Sequence, residues 1–142
     1  MDREGSRKRT GWIGGAVAIL VLAALYCSGD RAEVRSILKI WWLPSSVRVL
    51  QCNSPFTTDI LAACYLEIEP TDFDRLLRGR AFISGSRAGR IHGQPNWRTL
   101  GEDFEIEYSF YYDLRYETEY GGHVLVVADR QRRHVVVDLY IE

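Results

Sequence analysis

The sequence feature that most constrains this chain is a regular alternation of apolar and polar residues over residues 104–117. Aromatic or aliphatic side chains occupy every even position of this segment, and polar or charged side chains occupy every odd position except Tyr111. A period of two places alternate residues on opposite faces of a β-strand. The segment therefore predicts one long antiparallel strand, bent or bulged because of its length, with one face in the core and the other in solvent.

Shorter patterns predict the rest of an α+β domain around this strand. The length of 142 residues fits one domain, and an apolar fraction of 46% is typical of a globular chain. The predicted order is strand, strand, helix, strand, strand, strand, which makes an antiparallel sheet with one packed helix. Residues 81–103 contain four glycines and predict an extended connection, with room for a short strand near Phe82 and no period in the rest. The predicted elements occupy residues 47–52, 59–69, 71–79, 104–117, 123–128 and 134–141.

Twenty residues without a formal charge, residues 10–29, precede this domain and follow a cluster of four basic residues. In a helix they reach roughly 30 Å, the thickness of the hydrocarbon core of a bilayer. The basic cluster predicts that its own side of the membrane is the cytoplasm. We therefore expect a basic cytoplasmic tail at 1–10, a single transmembrane helix at 11–29 that acts as a signal anchor, and an extracytoplasmic domain at 44–142.

Three other interpretations of this uncharged segment stay open. A cleaved signal peptide and a lipoprotein signal ending at Cys27 share the basic start, but Tyr26 is bulky for either cleavage point. A buried helix of a soluble protein is favoured for apolar runs shorter than about 18 residues. The uncleaved anchor agrees best with the length of the segment and with the basic residues before it.

Residues 30–43 predict a short amphipathic helix between the anchor and the domain. Apolar residues recur at helical spacing from Val34 to Trp41, and Pro44 ends the pattern. Two interpretations remain open for the apolar stripe. Trp41 and Trp42 hold the helix at the membrane interface, where amphipathic aromatic side chains partition well, or the stripe packs on the following domain.

Cys52 and Cys64 lie on the two strands of the predicted hairpin. If Leu50 pairs with Leu66, the two cysteines lie opposite each other, at a distance that permits a disulfide. An extracytoplasmic location favours the bridge because disulfides persist there. The alternative is a pair of buried free thiols that pack as small apolar side chains. Cys27 belongs to neither arrangement.

No pattern in the sequence predicts a catalytic residue, a cofactor or a metal. His92, His123 and His134 lack the spacing of metal ligands, and no Cys-x-x-Cys motif accompanies them. Glu105 and Glu107 share a strand face, as solvated carboxylates commonly do. A formal net charge of −1 argues against nucleic acid as a partner, because nucleic-acid-binding domains carry a basic surplus.

Two further surfaces are candidates for recognition. Tyr111 falls on the polar face of the long strand and Tyr120 beside a glycine turn, and tyrosine is enriched at interfaces. Arg87 and Arg90 lie in a glycine-rich loop over residues 85–93, where arginines and backbone amides can hold an anion. The alternative is that this loop is a flexible surface segment without a binding role.

The sequence thus predicts a membrane-anchored extracytoplasmic accessory or protein-interaction domain without catalytic activity. Its expected partners are the membrane and a protein at the extracytoplasmic face. The alternative is a small-ligand-binding domain or hydrolase with a pocket near the Arg87–Arg90 loop. The candidate interaction residues are Trp41, Trp42, Arg87, Arg90, Tyr111 and Tyr120.

Overall fold

The computed structural model describes residues 29–54, 59–85, 89, 90, 100 and 104–142, with the backbone alone at 89 and 90. The predictions for residues 1–28, for Arg87 and for His92 lie outside these residues, and so does the side chain of Arg90. Within the described ranges, no helix has the length and apolar character needed to cross a membrane.

The described strands form one six-stranded antiparallel sheet and one separate two-stranded ribbon. The strands are β1 Arg48–Asn53, β2 Ile60–Glu67, β3 Ile83–Gly85, β4 Gly89–Arg90, β5 Glu105–Ile106, β6 Tyr108–Asp113, β7 His123–Ala128 and β8 His134–Ile141. Their order across the sheet is β1–β2–β8–β7–β6–β3, and β4 pairs with β5 in the ribbon. Hairpins join β1 to β2, β6 to β7 and β7 to β8, whereas β3 reaches the far edge after a helical crossover.

Two helices pack on the sheet face that carries Cys64 and Val126, which we call the first face. Helix α1 covers residues 29–38, and helix α2 is Phe73–Leu76, flanked by single 3₁₀ turns at Pro70–Asp72 and Leu77–Gly79. The predicted α+β architecture with an antiparallel sheet and few helices is confirmed. The sheet has six strands rather than five because β3, which falls in the segment predicted as an extended connection, adds an edge strand.

The segment with the regular alternation does not form one strand. It divides into β5, β6 and a 3₁₀ turn over Leu114–Tyr116, because β5 pairs with β4 while β6 pairs with β7. A 3₁₀ turn repeats every three residues, so Tyr116 is exposed despite its even position. Ser109, at an odd position, is buried opposite Gly85 of β3, and its hydroxyl donates a hydrogen bond of 2.9 Å to the carbonyl oxygen of that glycine.

Each face of the sheet carries its own apolar cluster. The first face packs against α1 and α2 through the fully buried Leu38 and Phe73. The opposite face, which carries Tyr65 and Leu125 and which we call the second face, is partly covered by Leu100, Phe104 and Ile106. The remaining area of the second face and the C-terminal end of α1 are two places in the described part of the chain where large apolar or aromatic side chains stay accessible side by side.

Candidate functional site

A disulfide joins β1 to β2 through Cys52 and Cys64, as the hairpin pattern predicts. The two residues are direct partners in the antiparallel register, with their Cα atoms 4.1 Å apart. The surrounding register differs from the prediction, because a bulge at Leu50 makes Val49 the partner of Leu66. Leu50 is therefore exposed instead of facing the core.

Glu33 of α1 lies beside this disulfide, and one of its carboxylate oxygens lies within 4.8 Å of both sulfur atoms. A cysteine ligates metal as a thiolate, and a disulfide removes that form. The Glu33 carboxylate instead accepts a hydrogen bond from the hydroxyl of Ser54. The group therefore fastens α1 to the hairpin and is not a metal centre in the oxidised protein.

Three rings form a row across the second face at one end of the sheet: Tyr111 on β6, His123 on β7 and Tyr140 on β8. We call them the aromatic row. The ring centroids of Tyr111 and His123 are 5.6 Å apart, and those of His123 and Tyr140 are 5.5 Å apart. Tyr111 is 41% exposed, and Ile83, its partner on the edge strand β3, is also exposed. Tyr111 and Ile83 therefore present an aromatic and apolar surface to solvent, and the half-buried rings of His123 and Tyr140 continue it into the sheet.

A buried carboxylate lies behind the aromatic row. Asp138 is 2% exposed and pairs with Leu125 in the register of β7 and β8. Its Oδ2 lies 3.8 Å from Nε2 of His123, whereas its Oδ1 has no hydrogen-bond partner among the described residues. A buried polar oxygen without a partner is destabilising by roughly 1–3 kcal/mol. Such a residue in an apolar sheet calls for an explanation other than packing.

A shallow cavity of about 240 Å³ adjoins the aromatic row at the β6–β7 turn. Gly122 shapes this turn: its φ is +126°, and a Cβ atom there would lie 2.1 Å from the carbonyl oxygen of Tyr140. Asp113 lines the cavity and accepts hydrogen bonds from Arg115, which lower the pKa of that carboxyl below its ordinary value. Glu142 lines it as well, so carboxylates outnumber cations among the described lining residues.

A second open site, which we call the tryptophan cleft, lies where α1 ends. Trp41 is 92% exposed and Trp42 is 77% exposed, although tryptophan is usually among the more buried residue types. The cleft has a volume of about 430 Å³. The described residues around it include three basic side chains and no acidic one. They are Lys39, Ile40, Trp41, Trp42, Arg75, Arg78 and Gly79.

The end of α1 is held against the sheet by a carboxylate that accepts three hydrogen bonds. Glu117 accepts them from Nζ of Lys39 at 2.5 Å, from Nη1 of Arg80 at 2.7 Å and from the hydroxyl of Tyr112 at 2.9 Å. Burial acts to raise the pKa of Glu117, but these hydrogen bonds outweigh it and lower the pKa to about 2. Arg80 also donates through Nε to the carbonyl oxygen of Ile37 at 2.9 Å.

Gly79 makes the same junction possible from the side of α2. A Cβ atom at this position would lie 2.1 Å from the carbonyl oxygen of Leu38 and 2.5 Å from that of Lys39. The backbone of Lys39 is left-handed, with a φ of +52°, so the chain leaves α1 abruptly at this point. This turn directs Trp41 and Trp42 away from the core.

The structure separates the two interpretations of the apolar stripe over residues 30–43. Val34 and Leu38 are buried in the first-face cluster, so this part of the stripe packs on the domain. Trp41 and Trp42 do not join it and remain available for contact. Among the other candidates, Tyr120 is exposed but belongs to neither the aromatic row nor the cleft.

Sequence reasoning finds Tyr111 and misses its partners His123, Tyr140 and Asp138. In the predicted strand 134–141 the odd positions are apolar, so Asp138 and Tyr140 fall on the polar face with no sign of burial. The available signal was the register itself, because His123 and Tyr140 are direct partners across β7 and β8. That register depends on tertiary pairing and is not visible in either strand alone.

Comparisons of the chain with known protein families, with curated proteins and with solved structures found no match. The function proposed for this chain therefore rests on the aromatic row, the tryptophan cleft and the uncharged segment 11–29.

Proposed function

We propose that this chain is a single-pass, membrane-anchored domain that acts outside the cytoplasm as a non-catalytic protein-interaction or accessory module. The observation that carries the proposal is the aromatic row, in which the exposed ring of Tyr111 contacts the half-buried ring of His123, which in turn contacts that of Tyr140. Aromatic residues are enriched at protein interfaces because they bury a large area at a small entropic cost.

The uncharged segment 11–29 and the disulfide support the proposed location. The segment has the length and flanking charge of a membrane anchor whose following domain lies outside the cytoplasm. The Cys52–Cys64 bridge agrees with an oxidising compartment, because cytosolic proteins rarely keep structural disulfides. Two unrelated features of the chain thus favour the same side of the membrane.

The charge around the aromatic row specifies the kind of partner. Asp113 and Glu142 line the cavity beside the row, and residues 44–142 contain 15 acidic residues against 11 arginines, a net charge of −4. A partner that presents an arginine or lysine beside an apolar residue complements this surface. The cation would stack on Tyr111 or Tyr140 while its charge faces Glu142, because Asp113 is already paired with Arg115.

A ligand-binding domain or hydrolase is the second candidate. The observation in its favour is the pairing of His123 with the buried Asp138, which resembles a base with an orienting carboxylate. The described residues that line the cavity include no serine, threonine or cysteine to serve as nucleophile. The sequence predicts the pocket of this candidate near Arg87 and Arg90, whose side chains lie outside the described residues.

Site-specific photo-crosslinking in native membranes tests the partner surface. Benzoylphenylalanine at position 111 of the full chain should give a discrete adduct, and the same group at the exposed position 133 should not. Glu142→Lys should lower the adduct yield because it repels a basic partner, whereas the matched reversal Glu69→Lys should not. Equal yields from positions 111 and 133, or no effect of Glu142→Lys, would contradict the proposal.

Reporter fusions test the topology separately from the partner. A reporter that is active only after export, fused after Glu142, should be active in cells that carry the full chain. A reporter that works only in the cytoplasm, fused at the same point, should be inactive. Strong activity of the cytoplasmic reporter would overturn the proposed location, and it would remove the compartment argument for the Cys52–Cys64 bridge.

A further inference from the structure

We propose that the tryptophan cleft binds the anionic lipid headgroups of the bilayer and lays the domain against the membrane. The inference rests on the proposed function, because it needs residues 11–29 to act as an anchor. It adds a second membrane contact made by the folded domain itself. That contact sets the direction in which the aromatic row faces.

The two tryptophans carry the first part of the argument. Trp41 and Trp42 are adjacent in sequence and both are more than three-quarters exposed, so neither belongs to the core. Each side chain offers roughly 150–250 Å² of surface that gains from leaving water. Tryptophan is enriched at membrane–water interfaces, where its ring meets the apolar layer and its N–H stays hydrated.

The charges around the tryptophans carry the second part. The described side chains that line the cleft include Lys39, Arg75 and Arg78 and none that is acidic, on a domain whose overall charge is negative. Lys39 pairs with Glu117 and Arg75 with Asp72, yet both basic side chains remain more than half exposed. This local excess of positive charge, beside two exposed amphipathic rings, complements the anionic headgroups and the apolar boundary of a bilayer together.

Distance along α1 makes the proposal specific. At 1.5 Å per residue, the ten helical residues 29–38 span about 15 Å, and the tryptophans lie beyond that end, whereas the headgroup layer of one leaflet is only about 5–8 Å deep. The tryptophans therefore reach the headgroups only if α1 lies along the bilayer instead of standing upright on it. Because Glu117 and Gly79 hold the end of α1 against the sheet, this tilt would orient the whole domain.

The anchor allows a weak contact to suffice. A tethered surface meets the bilayer at a high effective concentration, so an affinity too weak to hold an untethered domain on membranes suffices. The contact must then be tested in the full chain, inserted in lipid. A soluble fragment would lose the tether and with it the expected effect.

Fluorescence quenching by brominated lipid tests the contact. The full chain with Trp12→Phe and Trp97→Phe keeps Trp41 and Trp42 as its fluorophores, and is reconstituted in vesicles of equal parts phosphatidylglycerol and phosphatidylcholine. Bromination near the headgroup should quench emission about two-fold, and pure phosphatidylcholine vesicles should show much less quenching. The double variant Arg75→Ala/Arg78→Ala should lower the quenching to the phosphatidylcholine level.

The other occupants of the cleft are outcomes that overturn the proposal. Emission that is unaffected by brominated lipid in both vesicle types shows that the tryptophans stay in water. A blue-shifted emission without quenching shows that a protein, either a second copy or a partner, covers the cleft. Equal quenching in the two vesicle types, unchanged in Arg75→Ala/Arg78→Ala, shows an apolar contact without headgroup recognition.

A flotation control separates this inference from the proposed function. The full chain and its variant Trp41→Ala/Trp42→Ala should both float with vesicles through the anchor, and both should unfold at the same temperature because the replaced residues are exposed. A wild-type chain that does not float overturns the anchor and with it the proposed function. A chain that floats without quenching overturns only the contact of the tryptophan cleft.

Discussion

The two faces of the sheet are built from the same alternating strands, but they differ in how much of their apolar surface is buried. On the first face, Phe73 and Leu38 are fully buried because α1 and α2 lie over it. On the second face, Leu100 and Ile106 cover one part, and Tyr111 and Ile83 at the other end face solvent. The difference shows that strand alternation sorts side chains between faces, whereas the segments lying over a face decide which one becomes core.

The largest effect expected from this comparison comes from the centre of the first face. Phe73→Ala should lower the free energy of unfolding by about 3–5 kcal/mol, because it removes a fully buried ring and leaves a cavity. Phe104→Ala, on the partly covered second face, should cost less than half as much. Urea unfolding of the full chain in mild detergent measures both. Equal losses would show that the second face packs as firmly as the first.

The disulfide gives the next largest effect, because Cys52 and Cys64 belong to the first face. Reduction should lower the free energy of unfolding by about 3 kcal/mol for a loop closed over a sequence separation of 12 residues. The bond itself is checked by thiol labelling of the unfolded, unreduced chain, which should modify Cys27 and neither of the others. Labelling of all three cysteines would contradict the bridge.

Acid should loosen the attachment of α1 to the first face. Hydrogen bonds lower the pKa of Glu117 to about 2 in the folded chain, from an ordinary value of 4.5. A lowered pKa contributes stability that is fully present above pH 4.5 and is lost as the pH falls toward 2. Glu117→Gln should lower the free energy of unfolding by about 1 kcal/mol at neutral pH, because solvent screens part of these interactions, and it should flatten the acid dependence; Glu119→Gln should do neither. An unchanged acid profile in Glu117→Gln would contradict this account.

The smallest effect on stability should come from the aromatic row. Tyr111→Ala should cost about 0.5–1 kcal/mol, because it removes one stacked contact from an exposed ring. Tyr108→Ala, three residues earlier, should cost about 3 kcal/mol, because that ring packs on the first face under the guanidinium of Arg132. Urea unfolding, as above, compares the free energies of unfolding of the two variants. Similar losses would show that Tyr111 is structural and would weaken its role in partner binding.

Much of the fold is predictable because strands leave a local pattern. The strands β1, β2, β7 and β8 follow their predicted segments closely, and Cys52 lies opposite Cys64 as the hairpin requires. The bulge at Leu50 is not predictable. It inserts one unpaired residue into β1, and the residues on either side of it still have the composition of a strand. The division of residues 104–117 into β5 and β6 is not predictable either, because it depends on a change of pairing partner and not on the residues of the segment itself.

The candidate site is less predictable than the fold. Tyr111 is found because its aromatic ring interrupts a polar face, and Trp41 and Trp42 are found because they end a helical stripe. His123 and Asp138 are missed, because each is an ordinary residue of its own strand. They become neighbours only when β7 pairs with β8 and a covered face removes Asp138 from water.

The sequence by itself determined the alternation of the strands, the pairing of two cysteines in one hairpin and the uncharged segment before the domain. These are properties of neighbouring residues, because side-chain direction follows from backbone geometry within a few positions. The tertiary structure alone decided which sheet face is covered, that Asp138 lies behind His123, and that both tryptophans stay exposed. Burial is a relation between distant segments, so the same alternating strand becomes core or surface according to what packs against it.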